Sequence, residues 1–222
     1  MTPSPRPAAP PIRRSLAARA AAAARRIGPA AAALLLLAAA EAAPPSAVIE
    51  RFYAALLQSM QNAETLGFSG RYETLAPVLK ESFDLPFMAR VSVGQYWSGL
   101  DAGQQEKLAD AFERFTVATY AGRFDGYSGE RFEVVGEEPG PRDSMVVKTR
   151  LIKADGEPII LDYLLRGGET GWRIVDVYLT GRFSELALRR AEYTSVLGRE
   201  GFDALLAAIE ERIAALEAGA AP

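Results

Sequence analysis

Between Arg131 and Leu179 the hydrophobic pattern has a period of two. Four runs, Arg131–Gly136, Met145–Ile152, Pro158–Leu165 and Trp172–Leu179, read as strands. The joining segments are short. They are Glu137–Ser144, with Pro139-Gly140-Pro141, then Lys153–Glu157, with Asp155-Gly156, then Arg166–Gly171, with three glycines. Parallel pairing needs a crossover of roughly a dozen residues or more, usually a helix, and none of these segments can supply one. Asp-Gly between alternating runs is a hairpin signal. The pattern therefore predicts an antiparallel meander.

On both sides of the meander the period is helical. Ser46 is placed to cap a helix carrying Val48, Phe52, Leu56 and Met60, and Gly67 and Gly70 are expected to end that region. Tyr72, Leu75, Val78 and Leu79 suggest a second helix. Asp84 can cap a third, with Phe83 before it and Met88 four residues after, the spacing of a hydrophobic staple. Gly94 and Gly99 bracket Trp97. Asp101 and Gln104 form a variant capping box opening a long helix, whose apolar face is Leu108, Ala111, Phe112, Phe115, Ala118 and Thr119, with Tyr120 beside it. After Gly181, Leu186, Arg190, Tyr193 and Leu197 share a face. Gly198 and Gly201 interrupt, and Phe202 to Leu216 carries a last apolar stripe. Helices, one meander and helices again indicate a single α+β domain.

The first forty residues differ in kind. They hold six arginines, no acid and sixteen alanines. The arginines precede a 14-residue apolar run, Ile27 to Ala40, ending in three alanines. A basic start, an apolar core and a small-residue cleavage site make an export signal. A membrane-spanning helix needs ~20 apolar residues. The expected organisation is a cleaved signal over 1–40, a spacer over 41–45, one domain over 46–217 and a tail over 218–222. Removing six arginines leaves 19 basic against 28 acidic residues, a net charge of −9. That balance argues against nucleic acid as a partner.

The chain has no cysteine and no histidine. A disulfide scaffold, a thiolate zinc site, a cysteine nucleophile and every histidine-dependent triad are excluded. Asp162 and Asp176, on adjacent predicted strands, are the best remaining pair for acid–base chemistry. The competing reading is that each accepts from Arg150, Arg173 or a backbone donor. No cofactor motif and no calcium-loop pattern is present.

The last two runs are apolar on both faces. Strict alternation puts Ile159, Leu161, Tyr163 and Leu165 on one face of the third run. On the fourth it puts Trp172, Ile174, Asp176 and Tyr178 together, with Arg173, Val175, Val177 and Leu179 opposite. A sheet with one wet face shows cleaner alternation. Either helices cover both faces or one face lines an apolar cavity. Composition alone favours core over ligand pocket for the aromatic residues.

The order of motifs adds a resemblance. Asp84-Leu-Pro-Phe-Met-Ala-Arg90, Val93-Gly-Gln-Tyr-Trp97, Gln104-Gln105, Phe112, Phe115 and Thr119-Tyr-Ala121 resemble the MlaC-like, or toluene-tolerance, family. So do Trp172-Arg-Ile-Val-Asp-Val177 with Gly181, Glu192-Tyr193 and Gly201-Phe-Asp-Ala-Leu205. The stretch Ser184 to Tyr193 more closely resembles its hopanoid-associated branch, HpnM. The likeness spans about residues 46 to 210.

It implies an α+β fold, a four-stranded twisted antiparallel meander packed on several helices around an apolar cavity. It further implies a periplasmic, non-enzymatic phospholipid carrier without a cofactor. The implied partners are an outer-membrane lipoprotein complex and the inner-membrane substrate-binding ring of an ABC transporter. A hopanoid-branch member would carry a polycyclic lipid, and a carboxylate-dependent enzyme is the remaining alternative. The expected cavity walls are Trp97, Phe112, Phe115, Phe132, Val147, Leu151, Leu161, Tyr163, Trp172 and Ile174.

Overall fold

A computed structural model describes Met1 and residues 43–169 and 171–219. The signal expected over 1–40 lies, Met1 apart, outside the described residues. Its meander is an antiparallel sheet in which strand order follows chain order: β1 Arg131–Pro139, β2 Ser144–Ile152, β3 Pro158–Gly168, β4 Gly171–Leu179 and β5 Phe183–Ser184. The sheet has five strands, not four. The fifth is two residues long, too short to show a period. It pairs with Tyr178 and Leu179 because the chain turns back through Thr180 and Gly181, both at positive φ.

Six helices accompany the sheet among the described residues. They are α1 Pro45–Gln61, α2 Ala63–Ser82, α3 Leu85–Val93, α4 Ala102–Arg123, α5 Glu185–Glu200 and α6 Phe202–Glu217, with a 3₁₀ helix over Gly94–Gly99. The caps follow local chemistry. Asp84 accepts from the Phe87 N–H at 3.2 Å, with Phe83 and Met88 both buried beside it. Asp101 accepts from the Gln104 N–H at 2.9 Å while Gln104 accepts from the Asp101 N–H at 3.0 Å. Each bond satisfies a donor that a helix start leaves without a partner.

Two helix boundaries differ from the expectation. Pro44, not Ser46, precedes α1, and Ser46 lies inside its first turn. The Ser46 N–H instead donates to Glu137 Oε1 of β1 at 2.7 Å, so a carboxylate from the sheet does what a cap would. Gly67 does break the helical path, at φ 59° and ψ −173°, a backbone that favours glycine. Gly70 does not, and stays within α2.

The core draws buried side chains from all six helices and from one face of the sheet. Phe52 of α1 is fully buried and meets the rings of Phe83, Tyr120 and Tyr163 edge-on at 5.4, 5.3 and 6.2 Å. Such edge-to-face pairs add to the burial itself. Tyr53 stacks on Phe132 of β1 at 4.4 Å, and its hydroxyl bonds Thr149 Oγ1 of β2 at 2.5 Å. Thr149 in turn donates to the Leu161 carbonyl of β3. The ring stack and the two hydrogen bonds together tie α1 to three strands.

The register holds the main departure from strict alternation. Leu164 pairs with Asp176, but Leu165 pairs with Ile174, so Val175 is an extra residue in β4. A bulge of this kind reverses the side-chain alternation beyond it. Leu161, Tyr163, Leu165 and Gly167 pair with Leu179, Val177, Ile174 and Trp172 in turn. Trp172 and Ile174 therefore share a face with Val177 and Leu179, which strict alternation had placed opposite them. Asp176 and Tyr178 go to the other face with Asp162.

Candidate apolar site

Two cavities open where the sheet, α4 and α5 meet. The first, ≈ 290 Å³, lies against the core face of the sheet. Leu151, Ile159, Leu161, Tyr163, Val177 and Leu179 wall it from the strands, and Thr119, Tyr120 and Phe124 from α4 and its end. The second, ≈ 360 Å³, lies among α4, α5 and α6, against Phe115, Leu188, Ala215 and Leu216. Thr119, Arg123, Leu179 and Glu185 line both. A narrow space of ≈ 30 Å³, lined by Phe83, Met88, Phe112 and Val177 among others, also reaches Thr119 and Glu185. Each larger cavity is close to the lower end of the ligand-pocket range, ~300–1,000 Å³.

The sheet-side cavity is walled by aliphatic and aromatic side chains with Arg123 and Glu185 at its edge, whereas the helical cavity is lined by Arg189, Glu192 and Arg212 as well. Arg123, the last residue of α4, donates from Nη1 to Glu185 Oε1, in the first turn of α5, at 2.8 Å. Arg189 lies over the Phe115 ring at 4.3 Å, and Arg212 pairs with Glu192. Deeper in, burial raises the Tyr53 hydroxyl to about 12, against the effect of its side-chain hydrogen bonding. Desolvation pushes Tyr120 and Tyr163 up as well, and the negative charge of Glu185 adds to it. These phenols stay neutral throughout the ordinary pH range.

Residues 50–211 match the family described as MlaC protein. The chain belongs to the MlaC family. No curated protein matches it in sequence. In three dimensions this MlaC-family chain is similar to the phospholipid-binding protein from Ralstonia solanacearum, a structure in complex with a phospholipid. The two align with a TM-score of 0.69 at 20% identity, over 78% of this chain and 99% of that one. The α+β architecture is thus shared with that protein. Among the described residues, no helix of this MlaC-family chain is long and apolar enough to cross a membrane.

The ten expected wall residues fall into distinct places. Leu151, Leu161 and Tyr163 line the sheet-side cavity. Phe115 lines the helical one, and Phe112 the narrow space beside it. Val147 and Ile174 are fully buried in the core, and Ile174 forms a bridge with Phe83. Phe132 is the ring stacked under Tyr53. Trp172 is partly buried, packed against the core beside Gly167. Trp97 lines a separate groove with Arg90, Gly94 and Arg190. The reading by residue type omitted Val177, Leu179, Arg123 and Glu185. The first two were hidden by the bulge. The last two carried no signal beyond ordinary helix-end charges.

The two aspartates lie on the sheet face away from these cavities. Asp176 is buried and accepts from three donors: the Val177 N–H at 2.8 Å, the Leu186 N–H at 3.1 Å and the Ser184 hydroxyl at 2.5 Å. It clasps the start of α5 to β4. Burial raises its pKa, and these hydrogen bonds oppose the rise. Asp162 accepts from the Thr149 N–H at 3.4 Å. Among the described residues, no group of carboxylates is placed to hold a metal ion.

Proposed function

We propose that this MlaC-family chain is a periplasmic lipid carrier, escorting phospholipid between the outer membrane and an inner-membrane ABC system. The observation that carries this reading is the sheet-side cavity with its aliphatic and aromatic wall, joined through shared lining residues to a second cavity whose lining combines Phe115, Leu188 and Leu216 with charged side chains. Two large apolar side chains on these walls remain exposed to solvent: Leu188 at 70% and Ile159 at 36%. An exposed apolar rim continuous with an apolar cavity fits a ligand that enters tail first. The fold shared with a phospholipid-binding protein supports the same reading.

The energetics set the requirement. Each buried methylene is worth ~0.8 kcal/mol, so a two-chain lipid with roughly 30 methylenes loses on the order of 24 kcal/mol on entering water. A carrier must replace the bilayer with surroundings of similar apolarity. It must not improve on the bilayer much, or it would not release its load. Neutral phenols and aliphatic walls meet that condition.

The test is gentle purification followed by native mass spectrometry and lipid extraction. Stoichiometric phospholipid on the folded protein is the expected result, and a polycyclic lipid would assign the hopanoid branch instead. Protein that is empty and takes up nothing from phospholipid vesicles would overturn the reading. Leu161→Glu, which puts a charge on the wall of the sheet-side cavity, is expected to abolish uptake.

A further inference from the structure

The two cavities share four lining residues, and two of these form the Arg123–Glu185 ion pair. The pair spans from the end of α4 to the start of α5, joining residues 62 apart in the chain. It stands at the boundary between the sheet-side and helical cavities. Neither side chain is deeply buried, with 39% of the arginine and 22% of the glutamate side chain exposed. The remaining charges lining the helical cavity are Arg189, Glu192 and Arg212, and Glu192 is already paired with Arg212. Arg189 lies against the Phe115 ring. The cavity linings thus hold three guanidinium groups and two carboxylates. This local cationic surplus sits in a chain whose overall net charge is negative.

We propose that the Arg123–Glu185 pair is a latch between the two cavities, released when a lipid phosphodiester replaces Glu185 as the partner of Arg123. The latch makes the site select phosphate-bearing two-chain lipids over uncharged ones. This rests on the carrier reading and assigns the group that recognises the lipid phosphate. The chemistry is an exchange of acceptors. A guanidinium binds phosphate as well as carboxylate, in both cases through paired N–H donors. While Glu185 holds Arg123, the two cavities are divided. Once a phosphate holds it, one chain can occupy each side, and Arg189 supplies a second cation within the helical cavity. An uncharged diacylglycerol offers no acceptor of comparable strength and must leave the latch closed or strand the arginine.

The experiment compares wild type, Glu185→Gln, Arg123→Gln and Arg123→Lys. Each is equilibrated with phosphatidylglycerol vesicles doped with a diacylglycerol of the same chains, and each lipid is then extracted from the re-isolated protein. A partly exposed pair adds little to stability, so all four should fold, which thermal unfolding verifies. Wild type should prefer phosphatidylglycerol, relative to the proportions supplied, by on the order of tenfold. Glu185→Gln should keep the preference and take up more phosphatidylglycerol. Arg123→Gln should lose the preference while still taking up diacylglycerol, and Arg123→Lys should restore it in part. A preference that survives Arg123→Gln, or a Glu185→Gln variant that binds less phosphatidylglycerol, overturns the latch and leaves the carrier. Wild type that binds neither lipid overturns both.

Discussion

Replacing Asp176 with alanine separates a structural carboxylate from a chemical one. The substitution leaves three donors behind: the N–H groups of Val177 and Leu186 and the Ser184 hydroxyl. The hydroxyl can rotate, and its oxygen still accepts from the Ala187 N–H at 2.8 Å. The two backbone donors cannot turn away. An orphaned buried donor costs about 1–3 kcal/mol, and removing a buried carboxylate returns part of that loss. The expected net cost is about 2–4 kcal/mol. In a domain of this size each kcal/mol moves the melting temperature by about 2–4 °C, so a drop of roughly 5–15 °C follows. Asp176→Asn keeps one acceptor oxygen and the shape, and should cost less than half as much. Thermal unfolding by circular dichroism reads the difference, and amide exchange at Leu186 localises it. Both variants should still carry lipid at temperatures where they are folded. The reasoning fails if the alanine variant melts where wild type does, or if the asparagine variant folds normally but has lost lipid uptake.

Three further outcomes are expected. Burial raises Tyr53 to about 12, so the folded state favours the neutral phenol more than the unfolded chain does. That stability is fully present below pH ~10 and is lost as pH rises toward 12, which urea denaturation with tyrosinate absorbance across that window would follow. Histidine is absent, so Tm should change little between pH 6 and about 8, and a sharp step there would count against the assignment. Gly94→Ala should destabilise by about 1–3 kcal/mol, because Gly94 has φ 53° and ψ −122° and an added Cβ would lie 2.7 Å from Arg190 Nε. Unchanged unfolding of that variant would show that the 3₁₀ turn relaxes freely.

The sequence made the regular parts of this fold legible and hid the local exceptions. Period-two runs located the four long strands because the turns between them are short and marked by Pro, Gly and Asp-Gly. Asp84 and Asp101 declared their helices because capping chemistry is local. Val175 could not be read, since Arg173 to Val177 alternates plausibly with or without an extra residue. Only its pairing with β3 reveals the bulge. The apparent two-sided apolarity of β4 was largely that bulge seen without its partner strand. At the site, Leu151, Leu161 and Tyr163 were accessible from face assignment, and Phe115 from helical spacing. Arg123 and Glu185 were not, because a basic last turn and an acidic first turn are the normal companions of a helix dipole. Their meeting depends on tertiary structure.

For the proposed carrier, the Asp176 clasp bears on how quickly one lipid could be exchanged for another. It grips the Ser184 hydroxyl and the Leu186 N–H, the residues on either side of Glu185. The carboxylate end of the ion pair is therefore mounted on anchored backbone, while the arginine end is a long side chain on the last residue of α4. Parting the pair needs only a swing of that side chain. Such rotamer changes in exposed residues take picoseconds to nanoseconds, far faster than collective motions of helices and sheets. The pair would then set which lipid resides in the protein, while the pace of loading and unloading is left to the transfer of acyl chains between membrane and cavity.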